Sequence, residues 1–454
     1  MNNLRTEYDL LGEIQVPADV LYGAQTQRAV ENFPLNGEPT IGDFREFIQA
    51  LINIKQAAAQ TNCEIGVLSK EQADAIVFAC RKIIDDQLYD QFVPHYLHGG
   101  GGTSANMNVN EVIANIGEQF LGGRLGEYRY LHPNDHINLH QSTNDVIPTA
   151  CHLAVISKWH TLRPRFEALA KTLNLKTSEF ENQKRIARTC LQDAVDITFG
   201  DFLSGYATLI ERCEQRLNKA VLELSSVSLG GTIIGRPTDV PAEYFQQILV
   251  NLNKIVPDAD IRRADNLFDA FQNLDDLVAV SAQLDLCARS LIKIAKDIRL
   301  LVSGPEAGLQ ELELPAVQPG SSIMPGKINP VIPEFLIQVC FRVIGNHQMC
   351  SMAVDHGELD LNVWESPVVF GILESMNLLD SALSAFVDKC LNGLTVPAAM
   401  NDRKAGSIIA HLAELMKIHG YSTISNICKD GGGDFDRIRE LLAERGLSTD
   451  TRQE

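Results

Sequence analysis

Residues 275–301 read DDLVAVSAQLDLCARSLIKIAKDIRLL, and this stretch decides the fold. Its apolar side chains recur at spacings of three and four without a break, at Leu277, Val280, Leu284, Cys287, Leu291, Ile294, Ile298 and Leu301. That spacing predicts one long helix with a continuous apolar seam, as in a helical bundle or a coiled coil. Ser303-Gly304-Pro305 ends the helix, because glycine takes the terminal left-handed turn and proline cannot continue a helix.

A second run of the same kind predicts another long helix, with seam residues Tyr206, Leu209, Cys213, Leu217, Ala220 and Leu224. Strand-like alternation is short and rare by comparison. A long amphipathic helix buries little surface alone, so these helices must pack against others, within the chain or across subunits. We therefore expect an all-α protein built around a central bundle of long helices.

Turn-forming residues indicate two domain boundaries. Ser142-Thr143-Asn144-Asp145 precedes an apolar run with Pro148 near its start, which is a good helix opening. Asn392-Gly393 and Pro397 interrupt the helical pattern farther along the chain. We expect a mainly helical first domain over residues 1–141, the bundle over 142–396 and a small helical domain over 397–454.

Composition excludes several classes of partner. The 454 residues are 45% hydrophobic and 21% charged, and the formal charge of −19 argues against nucleic acid or an anionic membrane surface. A small anionic substrate stays open, because a few buried cations and backbone N–H groups can make a positive pocket in a negative protein. The opening sequence MNNLRTEYDLLGEI shows no signal peptide, and no apolar stretch reaches the roughly 18–20 residues that span a bilayer. We expect a cytoplasmic protein.

Cysteine and histidine give no sign of a metal site. The ten cysteines are scattered, without a Cys-x-x-Cys pair, and Cys213, Cys287 and Cys340 fall within apolar helical patterns. We interpret the cysteines as reduced core thiols. The eleven histidines, including His98 and His140, lack metal-ligand spacing, and we expect them to be structural.

One candidate for ligand binding is the glycine-rich turn at residues 98–104, HGGGGTS. It ends in the hydroxyls of Thr103 and Ser104, and consecutive glycine amides can form an anion-binding nest. Such turns are common, so this one is weak support for binding when taken alone.

A second candidate is residues 140–145, HQSTND, which place Ser142, Thr143 and Asn144 at a predicted helix start. The plain interpretation is an N-cap. The functional interpretation is a carboxylate held by the hydroxyls and by the positive end of the helix.

The strongest candidate is residues 320–330, GSSIMPGKINP. Two glycines and two prolines shape a loop around paired serines, a lysine and an asparagine. A solvated linker has no use for the apolar Ile323 and Met324, so we expect the loop to fold over a ligand and exclude water. A purely structural turn is the alternative.

GSSIMPGKINPVIPE closely resembles the signature loop of the aspartase/fumarase superfamily. GGTSANMNVNEV and NDHINLHQSTND resemble its other two active-site segments in the expected order, and the similarity runs nearly end to end. The resemblance implies a three-domain, mainly helical fold whose central domains form a 20-helix core in a homotetramer. It also implies that each active site is built from loops of three subunits.

The resemblance further implies roles for individual residues. Ser321 is the general base, and Lys327 is a catalytic residue that contacts a substrate carboxylate together with Asn329. The other implied substrate-binding residues are Thr103, Ser104, Ser142, Thr143, Asn144, Thr189, Cys190, Ser322 and Met324. No metal or organic cofactor is required, although activation by a divalent cation stays open.

The implied reaction explains these residue types. Elimination from an amino or hydroxy diacid removes a weakly acidic Cβ proton beside a carboxylate, so the doubly charged aci-carboxylate that forms must be stabilised. Oriented amides, hydroxyls and a lysine can do this in a site closed to water. A serine can serve as the base only as an alkoxide, held by loop N–H groups and nearby positive charge.

Small differences favour release of ammonia over release of water. The signature continues as VIPE at residues 331–334, close to the aspartase form, and residues 142–144 read STN where fumarases tend to have SSN. Glu365 matches an aspartase glutamate where fumarases often show lysine. We therefore expect a carbon–nitrogen lyase that forms fumarate from aspartate or a close derivative.

Several departures from the family pattern leave the substrate open. Cys190 stands where fumarases have a catalytically linked histidine, Arg236 lies in GRPT where the family has GTGLN, and Glu306 replaces the arginine of SGPR. Arg236 is a candidate specificity residue, because a buried-side arginine is rarely idle and its fork could hold an additional carboxylate. The alternatives are a class II fumarase-type hydro-lyase, a lyase for another N-linked succinate, and a non-catalytic relative. Intact Ser321 and Lys327 argue against the last.

Overall fold

The computed structural model describes residues 3–397 and 407–447, and within them the chain is mainly helical, as predicted. The helices longer than five residues are α1 Ala24–Asn32, α2 Arg45–Glu64, α3 Lys70–Asp85, α4 Thr103–Phe120, α5 Thr143–Glu179, α6 Phe199–Glu223, α7 Ala242–Ile255, α8 Leu267–Gln272, α9 Asp275–Leu301, α10 Val331–Asp355, α11 Glu365–Phe386, α12 Ile408–His419, α13 Tyr421–Asp430 and α14 Phe435–Glu444. The strands are β1 Leu4–Asp9, β2 Gly12–Pro17, β3 Lys184–Thr189, β4 Gln192–Thr198, β5 Ser226–Val227 and β6 Arg262–Arg263.

The longest predicted seam begins and ends where the sequence predicts. Helix α9 spans Asp275–Leu301, and each of its eight seam residues is 4% exposed or less. Burying one such side chain contributes about 1.5–3 kcal/mol, so packing of the seam, more than helix propensity, holds this helix in place. Helix α6 carries most of the second predicted run, and helix α5 begins at Thr143 as expected.

Helix α4 is unusual because residues 105–118 are all buried although many of them are polar. Glu111 shows how such a group is satisfied. Its carboxylate accepts hydrogen bonds from the backbone N–H groups of Gly23 (2.9 Å), Gln25 (2.8 Å) and Thr26 (3.1 Å), and from the Thr26 hydroxyl (2.6 Å). Burial raises the pKa of Glu111 to about 7, against the lowering effect of these donors. Four donors thus tie α4 to the start of α1.

The strands form three two-stranded sheets, as the rarity of strand-like alternation predicts. Strands β1 and β2 make an antiparallel hairpin with Leu4 opposite Pro17. Strands β3 and β4 make a second hairpin with a register shift between Ile186 and Arg188. Strands β5 and β6 pair in parallel over two residues each.

The chain forms two compact units. The first comprises Met1–Arg165, Cys213–Arg289 and Gln338–Ser381, and the second comprises Phe166–Arg212, Ser290–Ile337 and Ala382–Glu454. Helices α12, α13 and α14 of the second unit enclose an apolar cluster that consists of Ile408, Leu412, Leu415, Ile424, Ile427, Ile438, Leu441 and Leu442. The division into three domains stays a prediction.

One helical stretch, Glu365–Leu391, is long and apolar enough to cross a membrane by length and composition alone. This departs from the expectation that no segment reaches that length. However, 61% of its most apolar window is buried, as in the core helix of a soluble protein. Seven of the ten cysteines are buried as well, whereas Cys190 is exposed.

Candidate active site

Ser142 is the N-cap of the helix that begins at Thr143. Ser142 Oγ accepts a hydrogen bond from the backbone N–H of Asn144 (3.2 Å), and the backbone N–H of Ser142 donates to Asp145 Oδ1 (3.0 Å). The N-cap interpretation is therefore correct. The N-cap is compatible with carboxylate binding, since Ser142, Thr143 and Asn144 are half-buried at the positive end of a 37-residue helix.

Asp145 ties this helix start to a neighbouring loop. Its Oδ2 accepts hydrogen bonds from the backbone N–H groups of Gly230 (2.9 Å) and Thr232 (3.1 Å). The side-chain amide of Asn144 donates to the carbonyl of Ile233 (2.8 Å). Burial raises the pKa of Asp145 to about 6, although the backbone donors lower it. The first turn of α5 is thereby fixed by groups of its own unit.

A fully buried lysine is linked to the same helix start. Lys55 Nζ donates to Asn138 Oδ1 and to Gln141 Oε1, each at 3.0 Å. Asn138 Oδ1 also accepts from Asn106 Nδ2 (3.1 Å), and the same nitrogen donates to Thr143 Oγ1 (3.1 Å). Burial lowers the pKa of Lys55 to about 7. A chain of hydrogen bonds therefore joins this lysine to the Thr143 hydroxyl.

The glycine-rich turn leads directly into α4. Residues 100–102 have φ angles of +89°, +57° and +80°, which glycine adopts at no steric cost. A Cβ on Gly102 would lie 2.6 Å from Ile147 Cγ1, so glycine lets the turn pack closely against α5. Thr103 is exposed and Ser104 is half-buried in the first turn of α4.

The first unit thus brings two of the three predicted segments together. The turn at residues 98–104 meets α5 at Ile147, and Asn106 of α4 reaches Thr143. Hydroxyls and amides of both segments lie around two adjacent helix N-termini, an arrangement suited to binding carboxylates. The roles of the individual residues stay predictions.

The loop of residues 320–330 belongs to the second unit. Ser321 Oγ accepts hydrogen bonds from the backbone N–H groups of Ile323 (3.2 Å) and Met324 (2.9 Å). The loop closes on itself, because the Gly320 N–H donates to the Lys327 carbonyl (2.8 Å) and Asn329 Nδ2 donates to the Gly320 carbonyl (2.8 Å). This leaves the Ser321 oxygen with two donors that would stabilise a negative charge on it.

Within the chain this loop is open to solvent. Ile323 is 83% exposed and Met324 is 50% exposed, and Ser322 and Lys327 are exposed as well. The loop by itself therefore does not exclude water, and its folding over a ligand stays a prediction. Lys327 and Asn329 line a cleft of about 820 Å³ in the second unit.

The β3–β4 hairpin carries Thr189 and Cys190 at its exposed tip, also in the second unit. Cys190 and Leu191 form a two-residue turn with φ angles of +53° and +62°. Such a type I′ turn favours Asn-Gly, so these two residues adopt it at a cost. Arg188 forms an ion pair with the buried carboxylate of Glu311, which anchors the hairpin.

Arg236 is not the buried-side arginine that the sequence suggests. Its side chain is 57% exposed and forms an ion pair with Asp239, three residues further on. Its partner Asp239 lies in the single 3₁₀ turn Pro237–Asp239, which begins just after Arg236. Glu306, the other charge-changing departure, is exposed too.

Comparison with known proteins identifies the family. A sequence family described as "Lyase" matches residues 12–345, which is more than half of the chain. The chain belongs to the aspartase/fumarase superfamily. The aspartate ammonia-lyase of Bacillus subtilis is 39% identical over 98% of this chain and 93% of its own length. The aspartate ammonia-lyase of Pseudomonas fluorescens is 40% identical over 99% of this chain and 94% of its own length.

Solved structures of superfamily members share the fold. A fumarate lyase:delta crystallin from Brucella melitensis, bound to cobalt, superposes with a TM-score of 0.93 at 40% identity, covering 98% of this chain and 97% of that one. A class II fumarase from Schistosoma mansoni gives a TM-score of 0.93 at 33% identity, covering 98% and 96%. The predicted mostly helical superfamily fold is therefore confirmed. In residues 3–397 and 407–447 no group of three or more His, Cys, Asp or Glu could hold a metal ion.

Sequence reasoning missed Lys55 and Asn138. Lys55 stands four residues after Leu51 and four before Ala59, so it lies on the apolar face of α2. A lysine in that register is the signal that could have marked a buried polar cluster. Its partner Asn138 is 83 residues away along the chain, and no local pattern connects the two.

Proposed function

We propose that this chain is an aspartate ammonia-lyase, which eliminates ammonia from aspartate and forms fumarate. The observation that carries the proposal is the similarity to curated aspartate ammonia-lyases over almost the whole chain. The backbone donors at Ser321 Oγ support it further, because the reaction needs a base and a serine becomes one only when its alkoxide is stabilised.

The proposed reaction begins at Cβ of aspartate. The Ser321 alkoxide takes a Cβ proton, and the electron pair of the broken C–H bond moves into the neighbouring carboxylate to give the aci-carboxylate. This intermediate collapses to form the Cα–Cβ double bond, and the C–N bond breaks with release of ammonia. The doubly charged carboxylate is where stabilisation contributes most to the rate.

Carboxylate binding is assigned to the remaining candidates. Hydroxyls and amides at the starts of α4 and α5 donate to one end of the substrate, and Lys327 and Asn329 donate to the carboxylate that becomes the aci-carboxylate. The residues proposed for the first role are Thr103, Ser104, Ser142, Thr143 and Asn144. Thr189, Cys190, Ser322 and Met324 complete the proposed set of substrate contacts.

We further propose a cytoplasmic homotetramer with a 20-helix core and composite active sites. The exposed apolar residues of the signature loop support this, because a site open to water suits the reaction poorly. The proposed enzyme needs no organic cofactor, and a divalent cation would act only as an activator. Sedimentation of the purified protein tests the assembly, and a fully active monomer would overturn it.

An absorbance assay for fumarate tests the proposed reaction. With aspartate as substrate we expect absorbance to rise, and with malate we expect little change. The alternative is a fumarase-type hydro-lyase, which the likeness to the Schistosoma mansoni enzyme supports, and it predicts the opposite result. Turnover of an N-substituted aspartate without turnover of aspartate would instead indicate a lyase for another N-linked succinate.

A further inference from the structure

Lys55 sets the donor-to-acceptor direction of the hydrogen bonds that lead from it to Thr143. Below its pKa of about 7 Lys55 is an ammonium group, which has three donors and no acceptor, so every partner within reach must present an oxygen or another acceptor to it. The two partners of Lys55 Nζ are the side-chain amides of Asn138 and Gln141, each at 3.0 Å. Both amides must therefore turn their oxygen, not their nitrogen, toward the lysine.

The orientation of Asn138 fixes the next amides in turn. Its Oδ1 also faces the side chains of Asn106 and Asn110, which both present Nδ2 to it at 3.1 Å. Asn106 must present nitrogen here, since two oxygens would repel each other. The same Nδ2 carries a second hydrogen, which it donates to Thr143 Oγ1 at 3.1 Å.

We propose that Lys55, Asn138 and Asn106 form a polarity relay, which turns the hydroxyl hydrogen of Thr143 toward the substrate carboxylate. Because Thr143 Oγ1 already accepts from Asn106, its own hydrogen is available for donation to the substrate. This inference rests on the proposed function, which places Thr143 in the carboxylate site. Lys55, Asn138 and Asn106 are positioning residues, and Thr143 makes the contact.

The burial of Lys55 argues that the charge has a use. The side chain is fully buried, and the oxygens that it contacts belong to neutral amides. Taking an ammonium out of water without a contacting carboxylate is costly, and an apolar side chain would fill the same space without that cost. The ionisable groups that act on it are Asp145, which favours its charge, and the buried thiol of Cys80.

The most direct test reverses one amide. Asn106→Asp keeps the shape of the side chain but presents only acceptors, so the Thr143 hydroxyl would donate to the new carboxylate and not to the substrate. The control is Asn110→Asp, which adds the same charge one turn along α4. Asn110 is also buried and donates to the same Asn138 oxygen, but it makes no hydrogen bond to Thr143.

We expect Asn106→Asp to weaken binding of succinate, measured by calorimetry, about tenfold more than Asn110→Asp does. The KM for aspartate should rise in parallel. Equal losses in the two variants would overturn the relay, as would a parent protein that binds no succinate. A parent that binds succinate but does not consume aspartate would overturn the proposed function alone.

A double-mutant cycle covers the case in which the aspartate variants fail to fold. Lys55→Gln can both donate and accept, so it no longer fixes the direction of the relay. We expect it to weaken binding of succinate, measured by calorimetry, about tenfold in the parent and to have almost no further effect in a Thr143→Ala background. A merely structural lysine would give the same fold-change in both backgrounds, and that result would overturn the relay.

Discussion

The start of α5 and the loop of residues 320–330 are held in very different ways. The start of α5 is held by a hydrogen-bond network of buried and half-buried groups. The network draws on four other segments of the first unit, represented by Lys55, Asn106, Asn138 and the loop of residues 230–232. In the signature loop, residues 322–328 are exposed, and the hydrogen bonds that shape Ser321 come from the loop itself.

The difference separates two requirements of the proposed reaction. Carboxylate binding needs donors of fixed direction, and a buried network supplies them within one chain. A serine base needs donors to its alkoxide and a dry environment, and the exposed loop has only the first of these within the chain. Changes near α5 should therefore affect both stability and binding, whereas changes in the loop should affect activity alone.

The largest expected effect is that of Ser321→Ala. Loss of a general base typically lowers kcat about 10²–10⁴-fold. Because the loop is exposed, the melting temperature should stay within about a degree of that of the parent, as for most surface substitutions. Steady-state kinetics and thermal unfolding measure the two quantities, with Ser381→Ala on the exposed side of α11 as the control. Near-normal turnover would show that Ser321 only shapes the loop.

Mixing two inactive variants sharpens the comparison. Ser321→Ala removes the base from the loop, and Thr143→Ala removes a hydroxyl from the start of α5. If each site draws these residues from different subunits, subunit exchange should create some sites with neither defect. Recovery of fumarate formation after the proteins are mixed and refolded together measures this. Unmixed samples treated in the same way are the control, and no recovery would argue against composite sites.

A smaller effect concerns pH and a buried carboxylate of the first unit. Burial raises the pKa of Glu365 to about 7, above the value of 4.5 that it has when unfolded. The folded state therefore binds more protons between these values, so the stability that Glu365 contributes is present below pH 4.5 and lost as pH rises through 7. In Glu365→Gln this group cannot titrate, so we expect the free energy of unfolding not to fall for this reason as pH rises. The fall in the parent is about 3 kcal/mol at most.

Urea unfolding of the parent and of Glu365→Gln at pH 5 and pH 8 measures the difference. The free energy of unfolding of the variant minus that of the parent should be larger at pH 8 than at pH 5. Glu306→Gln changes an exposed carboxylate and is the matched control. Parallel pH dependence in all three proteins would contradict the assignment.

The smallest expected effect is that of Arg236→Thr. An exposed ion pair such as that between Arg236 and Asp239 contributes about 0–1 kcal/mol, so little stability should be lost. If aspartate is the substrate, its kcat/KM should change less than about threefold, within the range of surface substitutions. The measurement is the ratio of kcat/KM for aspartate to that for N-substituted aspartates. A ratio that shifts tenfold or more would restore Arg236 as a specificity residue.

The sequence predicts the structural features that depend on the spacing of residues within a short segment. The seam of α9 and the opening of α5 at Thr143 follow from repeats and caps a few residues long, and both are confirmed. Glycines, hydroxyls and a predicted helix start marked the three candidate segments, and the family resemblance then implied roles for their residues.

What the sequence could not predict depends on distant partners. The role of Lys55 follows from contacts with Asn138 and Gln141, more than 80 residues away. The exposure of Ile323 reflects what the single chain can cover. Each of these is a property of three-dimensional surroundings that no short pattern encodes.

The carboxylate of Glu111 also limits how far the chain could be trimmed. A deletion that stops before Gly23 removes the first hairpin but keeps the amides that Glu111 holds. A deletion that continues through Thr26 would leave the buried carboxylate of Glu111 without those donors. Glu111 lies on α4, the helix that also carries Asn106. Residue 23 is therefore the farthest point that an amino-terminal deletion can reach without removing a backbone donor of Glu111.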